Sequence, residues 1–271
     1  MLTFIISVKH YENSHSYSTT WKLLENTLAS VCNQSNENFN VIVISNKTLD
    51  VFKGNPKIKN VKFLEVKWAP PATYDSWQIG NHVSGGVGMD QIRIDRGSKY
   101  TLGLNEALKN KNNKYQYVMF VDADDFVHKD LVKYVYGNTC VDFFRIKKGY
   151  KLGKDFTYEK MNNFNNVCGT SNITRINLLS KNLNLQNITL NSTQGEILQT
   201  TDDYYLKMIL GSHKFSYQYF KELGHTGQAI GFPAAIYNCS HSEQHSGKKN
   251  IQFQRKLTDS IKGDFSVKYL V

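Results

Sequence analysis

Four short runs of apolar, mostly β-branched residues punctuate the first half of the chain, and segments with helical spacing separate some of them. The runs are Thr3 to Val8, Val41-Ile42-Val43-Ile44, Val61 to Val66 and Tyr117-Val118-Met119-Phe120-Val121. Behind the first, the hydroxyls of Ser18, Thr19 and Thr20 offer a helix cap, and Trp21, Leu24, Leu28 and Val31 then share one helical face. From Lys99, positions Leu104, Ala107 and Leu108 mark another amphipathic helix. Strands separated by helices must join through crossovers, which gives a mainly parallel sheet covered on both faces. The expected fold class is therefore α/β, a mainly parallel central sheet flanked by helices. Ligands bind such sheets at the carboxyl ends of the strands. That rule puts His10, Ser45-Asn46 and Asp122 on one rim.

The segment from Lys67 to Gly97 interrupts the alternation. It holds Pro70-Pro71, Trp68, Trp77 and the glycine cluster Ser84-Gly85-Gly86-Val87-Gly88, and reads as a long loop, either plain surface or a lid over a ligand. The cluster is no P-loop, because no G-K-[ST] follows, and it lacks the spacing of a dinucleotide fingerprint. After residue 145 the chain turns Asn-rich and less regular until Asp202-Asp203, behind which Leu206, Ile209 and Leu210 take helical spacing. No repeat or linker divides it. Residues 1–271 are expected to form one domain, with 1–145 as a nucleotide-binding half and 146–271 as an acceptor-side half.

Composition narrows the class. The 271 residues are 40% hydrophobic and 21% charged, so intrinsic disorder is a poor description. Mean hydropathy is −0.45, and no apolar run approaches the ~18 residues needed to cross a bilayer. The opening residues lack the marks of a signal peptide and read as a strand, so a cytoplasmic protein is expected. Lys and Arg number 33 against 23 Asp and Glu, a net +10 that favours anionic partners. Cys32, Cys140, Cys168 and Cys239 are scattered, with neither a disulfide framework nor zinc spacing. The N-x-S/T triplets at Asn172 and Asn187 are chance matches in an Asn-rich chain.

The sharpest signal is Val121-Asp122-Ala123-Asp124-Asp125, directly behind an apolar strand. Side chains alternate in extended backbone, so Asp122 and Asp124 can face the same way. Two carboxylates so placed repel unless a cation stands near, and Mg²⁺ or Mn²⁺ commonly takes one or two carboxylates plus substrate phosphates. A plainer role is an acidic turn ahead of the helix starting near Lys129. An EF-hand is excluded, since Val127 stands where its sixth position needs Gly and Lys133 where its twelfth needs Glu.

These residues resemble GT-A glycosyltransferases, in particular the family 2-like group. Phe120 to Asp125 is similar to that family's D-x-D element. Thr3 to Val8, the helix behind it and Val41 to Asn46 resemble its opening βαβ unit. Lys99 with Leu102-Gly103-Leu104-Asn105-Glu106-Ala107 resembles the segment ahead of the D-x-D strand. Gly169-Thr170-Ser171 with Arg175 resembles an acceptor-side loop, and Asp202-Asp203-Tyr204-Tyr205-Leu206 the later acidic pair. The resemblance implies a GT-A fold and a metal-dependent transferase that moves a sugar from a nucleotide-diphosphate donor to a glycan or lipid-linked acceptor. It implies Mn²⁺ or Mg²⁺ on Asp122 and Asp124, completed by His245 or His241 from the late loop. It further implies a nucleotide-sugar site of His10, Asn46, Arg93, Lys99, Asp122 and Asp124, where the family more often has Asp at the Asn46 position. Arg96, beside Arg93 and Lys99, is a further cation to counter diphosphate charge. Asp203 is the implied catalytic base, with Asp202 beside it, although two acids there equally suit the first turn of a helix.

Two other functions compete. A haloacid dehalogenase-type phosphatase or phosphotransferase also uses D-x-D after an apolar strand, but normally on the first strand, and with Thr or Val where Phe126 stands. A non-catalytic basic module would show a basic helix face or aromatics interleaved on a sheet, and neither is visible. Nucleic acid is therefore not an expected partner. Peripheral contact with the anionic inner face of a membrane remains compatible with the charge.

Overall fold

A computed structural model describes residues 1–49, 60–71, 87–109, 116–243 and 255–271. Alternation along β1 (Leu2–Ser7) organises it. Leu2, Phe4 and Ile6 enter a core with Trp21, Leu24, Leu28 and Val31 of helix α1 (Tyr17–Val31), while Ile5 points the other way to Tyr100, Leu102 and Leu104. A strand buried on both faces explains the uninterrupted apolar runs.

Beside β1 lie β2 (Phe39–Ser45) and then β3 (Val61–Glu65), both parallel to it. Helix α2 (Val87–Leu108) then returns the chain across the opposite face to β4 (Tyr117–Asp122), parallel to β1 on its other side. Short β5 (Phe126–Val127), α3 (Leu131–Tyr136), β6 (Phe143–Ile146), β7 (Gly149–Leu152), β8 (Thr157–Met161) and β9 (Asn172–Arg175) follow. Helices α4 (Ile176–Ser180) and α5 (Gln194–Thr200), a π-helical segment Tyr205–Leu210 and α6 (Ser216–Glu222) precede β10 (Gly227–Ile230), β11 (Ala235–Asn238), β12 (Arg255–Lys256) and α7 (Asp259–Phe265).

The central sheet runs β10-β6-β9-β4-β1-β2-β3. Only β9 among its seven strands is antiparallel. A second sheet runs β12-β8-β7-β11-β5 around its own core of Phe126, Tyr150, Leu152, Ile236 and Phe265. The fold is thus α/β with a mainly parallel central sheet flanked by helices. Strand order reverses between β1 and β4, because the chain builds outward to β3 and then restarts on the far side of β1. Their carboxyl ends therefore open a crevice that no crossover covers.

Three local expectations need correcting. The loop expected over 67–97 ends by Val87, where α2 begins, so Arg93 and Arg96 ride on a helix and not in a loop. Trp77 and Gly85-Gly86 lie outside the described residues. The cap of α1 is Ser16, whose hydroxyl accepts the Thr19 N–H at 3.2 Å, and not Ser18 to Thr20. The second half is more regular than its sequence pattern, because strands of two to five residues such as Gly149–Leu152, buried throughout, show neither period. Among the described residues, no helix is long and apolar enough to cross a membrane.

Helix α2 lies tight against the π-helical segment. A Cβ on Gly97 would overlap the Leu206 carbonyl oxygen, and one on Gly211 the carbonyl of Arg93. Both obstacles are backbone, so neither can swing aside. Gly97→Ala should therefore destabilise the protein by about 1–3 kcal/mol despite alanine's better helix propensity. A lowered urea midpoint at unchanged slope would bear this out; an unchanged or raised midpoint would refute the close contact.

Candidate active site at the crevice between β1 and β4

The acidic turn leaves β4 at the edge of this crevice, and its three carboxylates meet three different environments. Asp122 pairs with Arg96 Nη2 from α2. Arg96 is itself aimed by Nε, which donates to the Tyr100 hydroxyl at 3.0 Å, and Tyr100 stacks on Phe120 at 3.9 Å. Gly169 lies directly over the pair: a Cβ there would overlap both Asp122 Oδ2 and Arg96 Nη2, so this site needs glycine for space. Burial raises the Asp122 carboxyl above its ordinary range, Arg96 pulls it back, Asp124 pushes it up again and the Gly169 N–H lowers it.

Asp125 is wholly buried. Its Oδ2 accepts the Thr170 hydroxyl at 2.6 Å and the Cys168 thiol at 3.0 Å, and its Oδ1 accepts the Asn238 N–H at 3.1 Å. Thr170 Oγ1 accepts the Asp122 N–H at 2.9 Å, so one hydroxyl joins both acids. Burial, with Asp124 and Asp122 adding to it, pushes the Asp125 carboxyl far up. Asp125 is a bolt between β4, the 168–171 loop and β11.

Asp124 turns toward the late loop. His241 Nε2 stands 3.1 Å from Asp124 Oδ2 without a hydrogen bond, while its Nδ1 accepts the Glu243 N–H at 3.2 Å. Glu243 ties this loop to the start of the chain. Its carboxylate accepts the Ser16 N–H at 2.7 Å, the His15 N–H at 3.1 Å and Lys9 Nζ at 3.0 Å. Burial works against its charge, but Lys9 and the two N–H groups outweigh it and hold Glu243 below the usual glutamate range.

Along β1 and β2, His10 and Asn46 converge on one acceptor, the Trp68 carbonyl, at 3.3 and 3.4 Å. His10 Nδ1 accepts the Glu12 N–H, so the neutral ring carries its proton on Nε2. Burial, then Lys99, lowers its pKa and keeps it neutral at pH 7. Lys99 is fully buried, donating to the Val8 carbonyl at 2.9 Å and pairing with Asp95 at 2.8 Å; its charge is spent inside. Arg93 pairs with Asp90 at 3.3 Å, and Lys207 lies 3.6 Å from Asp90 and 2.7 Å from Asp203. These four form one cluster at the start of α2. Asp202 caps the next segment, its Oδ1 accepting the Tyr205 N–H at 2.8 Å, whereas Asp203 is 66% exposed. His245 lies outside the described residues.

The expected residues therefore fall into three groups: Asp122, Asp124 and His241 at the crevice, His10 and Asn46 beside it, and Asp203 with Arg93 in the ion-pair cluster. Arg96 is the residue that sequence reasoning underweighted. Its place three residues before Lys99 puts both on one side of α2, so spacing alone does not separate their roles.

A divalent cation fits this donor set in part. Two ligands cis to each other on a six-coordinate ion of radius-typical bond length stand about 3.0 Å apart, close to the 3.1 Å between Asp124 and His241. Asp122, however, is committed to Arg96, and the neutral His241 ring carries its proton on the nitrogen that faces Asp124. Among the described residues, no three His, Cys, Asp or Glu side chains form a ready cluster.

No protein-family model matches the chain, and no curated protein does. Solved structures do match. One is the crystal structure of the 2-C-methyl-D-erythritol 4-phosphate cytidylyltransferase of Francisella tularensis, at 12% identity over 88% of this chain and 90% of that one, with a TM-score of 0.36. At such values neither activity nor substrate carries over to this chain.

Glu243 supplies an acid-sensitive tether. Because its folded-state pKa is depressed, the stability it contributes is present above the unfolded glutamate value and is lost as pH falls through the folded one. Glu243→Gln should lower stability at pH 7 by about 1–3 kcal/mol and flatten the decline between neutral and acidic pH. Denaturant titrations at pH 7 and pH 4 test this; equal losses at both would show that Glu243 is not the titrating tether.

Proposed function

We propose that the chain is a nucleotide-diphosphate-sugar transferase of GT-A type, acting on a glycan or lipid-linked acceptor. The observation that carries this reading is the Asp122-Ala123-Asp124 turn at the tip of β4, beside the strand-order reversal, with Arg96 on one acid and His241 by the other. Such a crevice combines an anion-binding cation with carboxylates able to take a hard metal ion.

In this reading His10 and Asn46 border the nucleobase and ribose, placed by the Trp68 carbonyl they share. Lys99 acts at one remove, fixing the Val8 carbonyl just before His10. Asp124, with Asp122 once released, holds Mn²⁺ or Mg²⁺, which supplies charge neutralisation to the departing diphosphate; His241 joins them if its proton leaves Nε2. Asp203 is the proposed base that takes the acceptor hydroxyl proton, its carboxylate accepting from Lys207 Nζ at 2.7 Å, while Asp202 shapes the turn that carries it. Arg93 belongs to the same ion-pair cluster and steadies it through Asp90. Place in the cell follows from the acceptor: cytoplasmic for a soluble glycan, the inner membrane face for a lipid-linked one. A phosphatase of the haloacid dehalogenase type is the weaker reading, because its nucleophile would be Asp122, whose carboxylate here is engaged by Arg96.

Two measurements test the proposal. UDP or GDP with Mn²⁺ should stabilise the protein by about 2.7 kcal/mol at a hundredfold excess over Kd, and Asp124→Asn should abolish the Mn²⁺-dependent part; no stabilisation by either nucleotide would end the reading. Asp203→Asn should cut sugar transfer about 10²–10⁴-fold with donor affinity unchanged, and undiminished turnover would remove Asp203 from the chemistry.

A further inference from the structure

We infer that Arg96 is the diphosphate-binding cation of this site and that Asp122 is its resting counter-ion, so that donor binding transfers the guanidinium from Asp122 to the phosphates. The inference rests on the nucleotide reading above and assigns a residue and an order of events within it.

Three observations carry it. Arg96 is in direct contact with the acidic turn, whereas the two neighbours expected to share its task are turned elsewhere: Lys99 into the interior on Asp95 and Val8, Arg93 onto Asp90. The side chains of Arg96 and Asp122 are 22% and 26% exposed, so the pair reaches solvent and is not sealed in the core. And the guanidinium is aimed from behind, through Nε on Tyr100, which leaves its terminal nitrogens to face the acid. A guanidinium presents a fork of donors that suits a phosphate as well as a carboxylate.

The exchange has a sign that a structural ion pair lacks. In the resting protein Asp122 competes with the nucleotide for Arg96, while with metal present the same carboxylate assists. Asp122→Asn should therefore act in opposite directions under the two conditions. In EDTA it should tighten UDP or GDP binding at least about fivefold, because Arg96 loses its charged competitor. With Mn²⁺ it should weaken binding. Arg96→Gln should weaken metal-free binding at least about tenfold and erase the preference for the diphosphate over the monophosphate, with Arg96→Lys restoring charge but not the fork.

Isothermal titration of the full chain with UDP, GDP and their monophosphates, in EDTA and in Mn²⁺, reads all of this, with circular dichroism confirming that each variant is folded. Opposite effects of Asp122→Asn in the two buffers, with loss of diphosphate preference in Arg96→Gln, support the exchange. Weaker binding of Asp122→Asn in both buffers overturns it and leaves the nucleotide reading standing. So does a wild type that binds nucleotide only with Mn²⁺. A wild type that binds neither nucleotide in either buffer overturns both. Should Arg96→Gln fail to fold, Asp122→Asn, nearly isosteric, still decides the question.

Discussion

The pairing of Arg96 with Asp122 under Gly169 is the constraint around which the rest is arranged. It joins the helix that crosses one face of the central sheet to the tip of the strand it precedes, and it closes under a loop from the second half of the chain. Two stacked aromatic rings, buried Tyr100 and half-buried Phe120, fix its angle from behind. Thr170 extends it to Asp125, and Asp125 to Asn238 at the end of β11. A carboxylate and a guanidinium only about a quarter exposed still depend on partners for their remaining hydrogen-bonding groups, and here the Tyr100 hydroxyl and the Gly169 N–H supply them.

Three acids are thereby concentrated at one rim. Asp122, Asp124 and Asp125 are near-neighbours of like charge, and the protein handles each differently: one is neutralised by Arg96, one faces His241, one is buried among donors. This division separates a structural acid from two that border the crevice. It also gives the last acid of the D-x-D-D run a role as a buried hydrogen-bond acceptor.

Much of the first half was legible in the sequence. The four strands, the helix over Trp21 to Val31 and the common rim of His10, Asn46 and Asp122 follow from apolar runs and from the rule that strand ends bind ligands. What was not legible has physical reasons. Helix α2 begins twelve residues before Lys99, and its period was hidden in part because Gly97, kept for its close approach to Leu206, lowers the local helix propensity. The strands of the second sheet are too short to display alternation. The roles of Lys99 and Arg96 could not be separated from spacing, since both lie on one helix and only packing decides which charge is buried. Asp202 illustrates the converse: acids in the first turn of a helix were one of the two readings of Asp202-Asp203, and Asp202 accepts the Tyr205 N–H at the start of that segment.

The Glu243 contacts with Lys9, His15 and Ser16 span 227 to 234 positions of sequence. Closing so long a loop is entropically slow, and until it happens the segment bearing His241 is held from the side of β7, where the Cys239 N–H donates to the Leu152 carbonyl at 2.7 Å. During synthesis, then, the parallel strands can assemble while the rim beside Asp124 is still missing. A ribosome-bound chain halted before residue 239 would hold a sheet and an arginine-locked acid, yet have no finished crevice. The rim beside Asp124 therefore waits on residues 241 to 243.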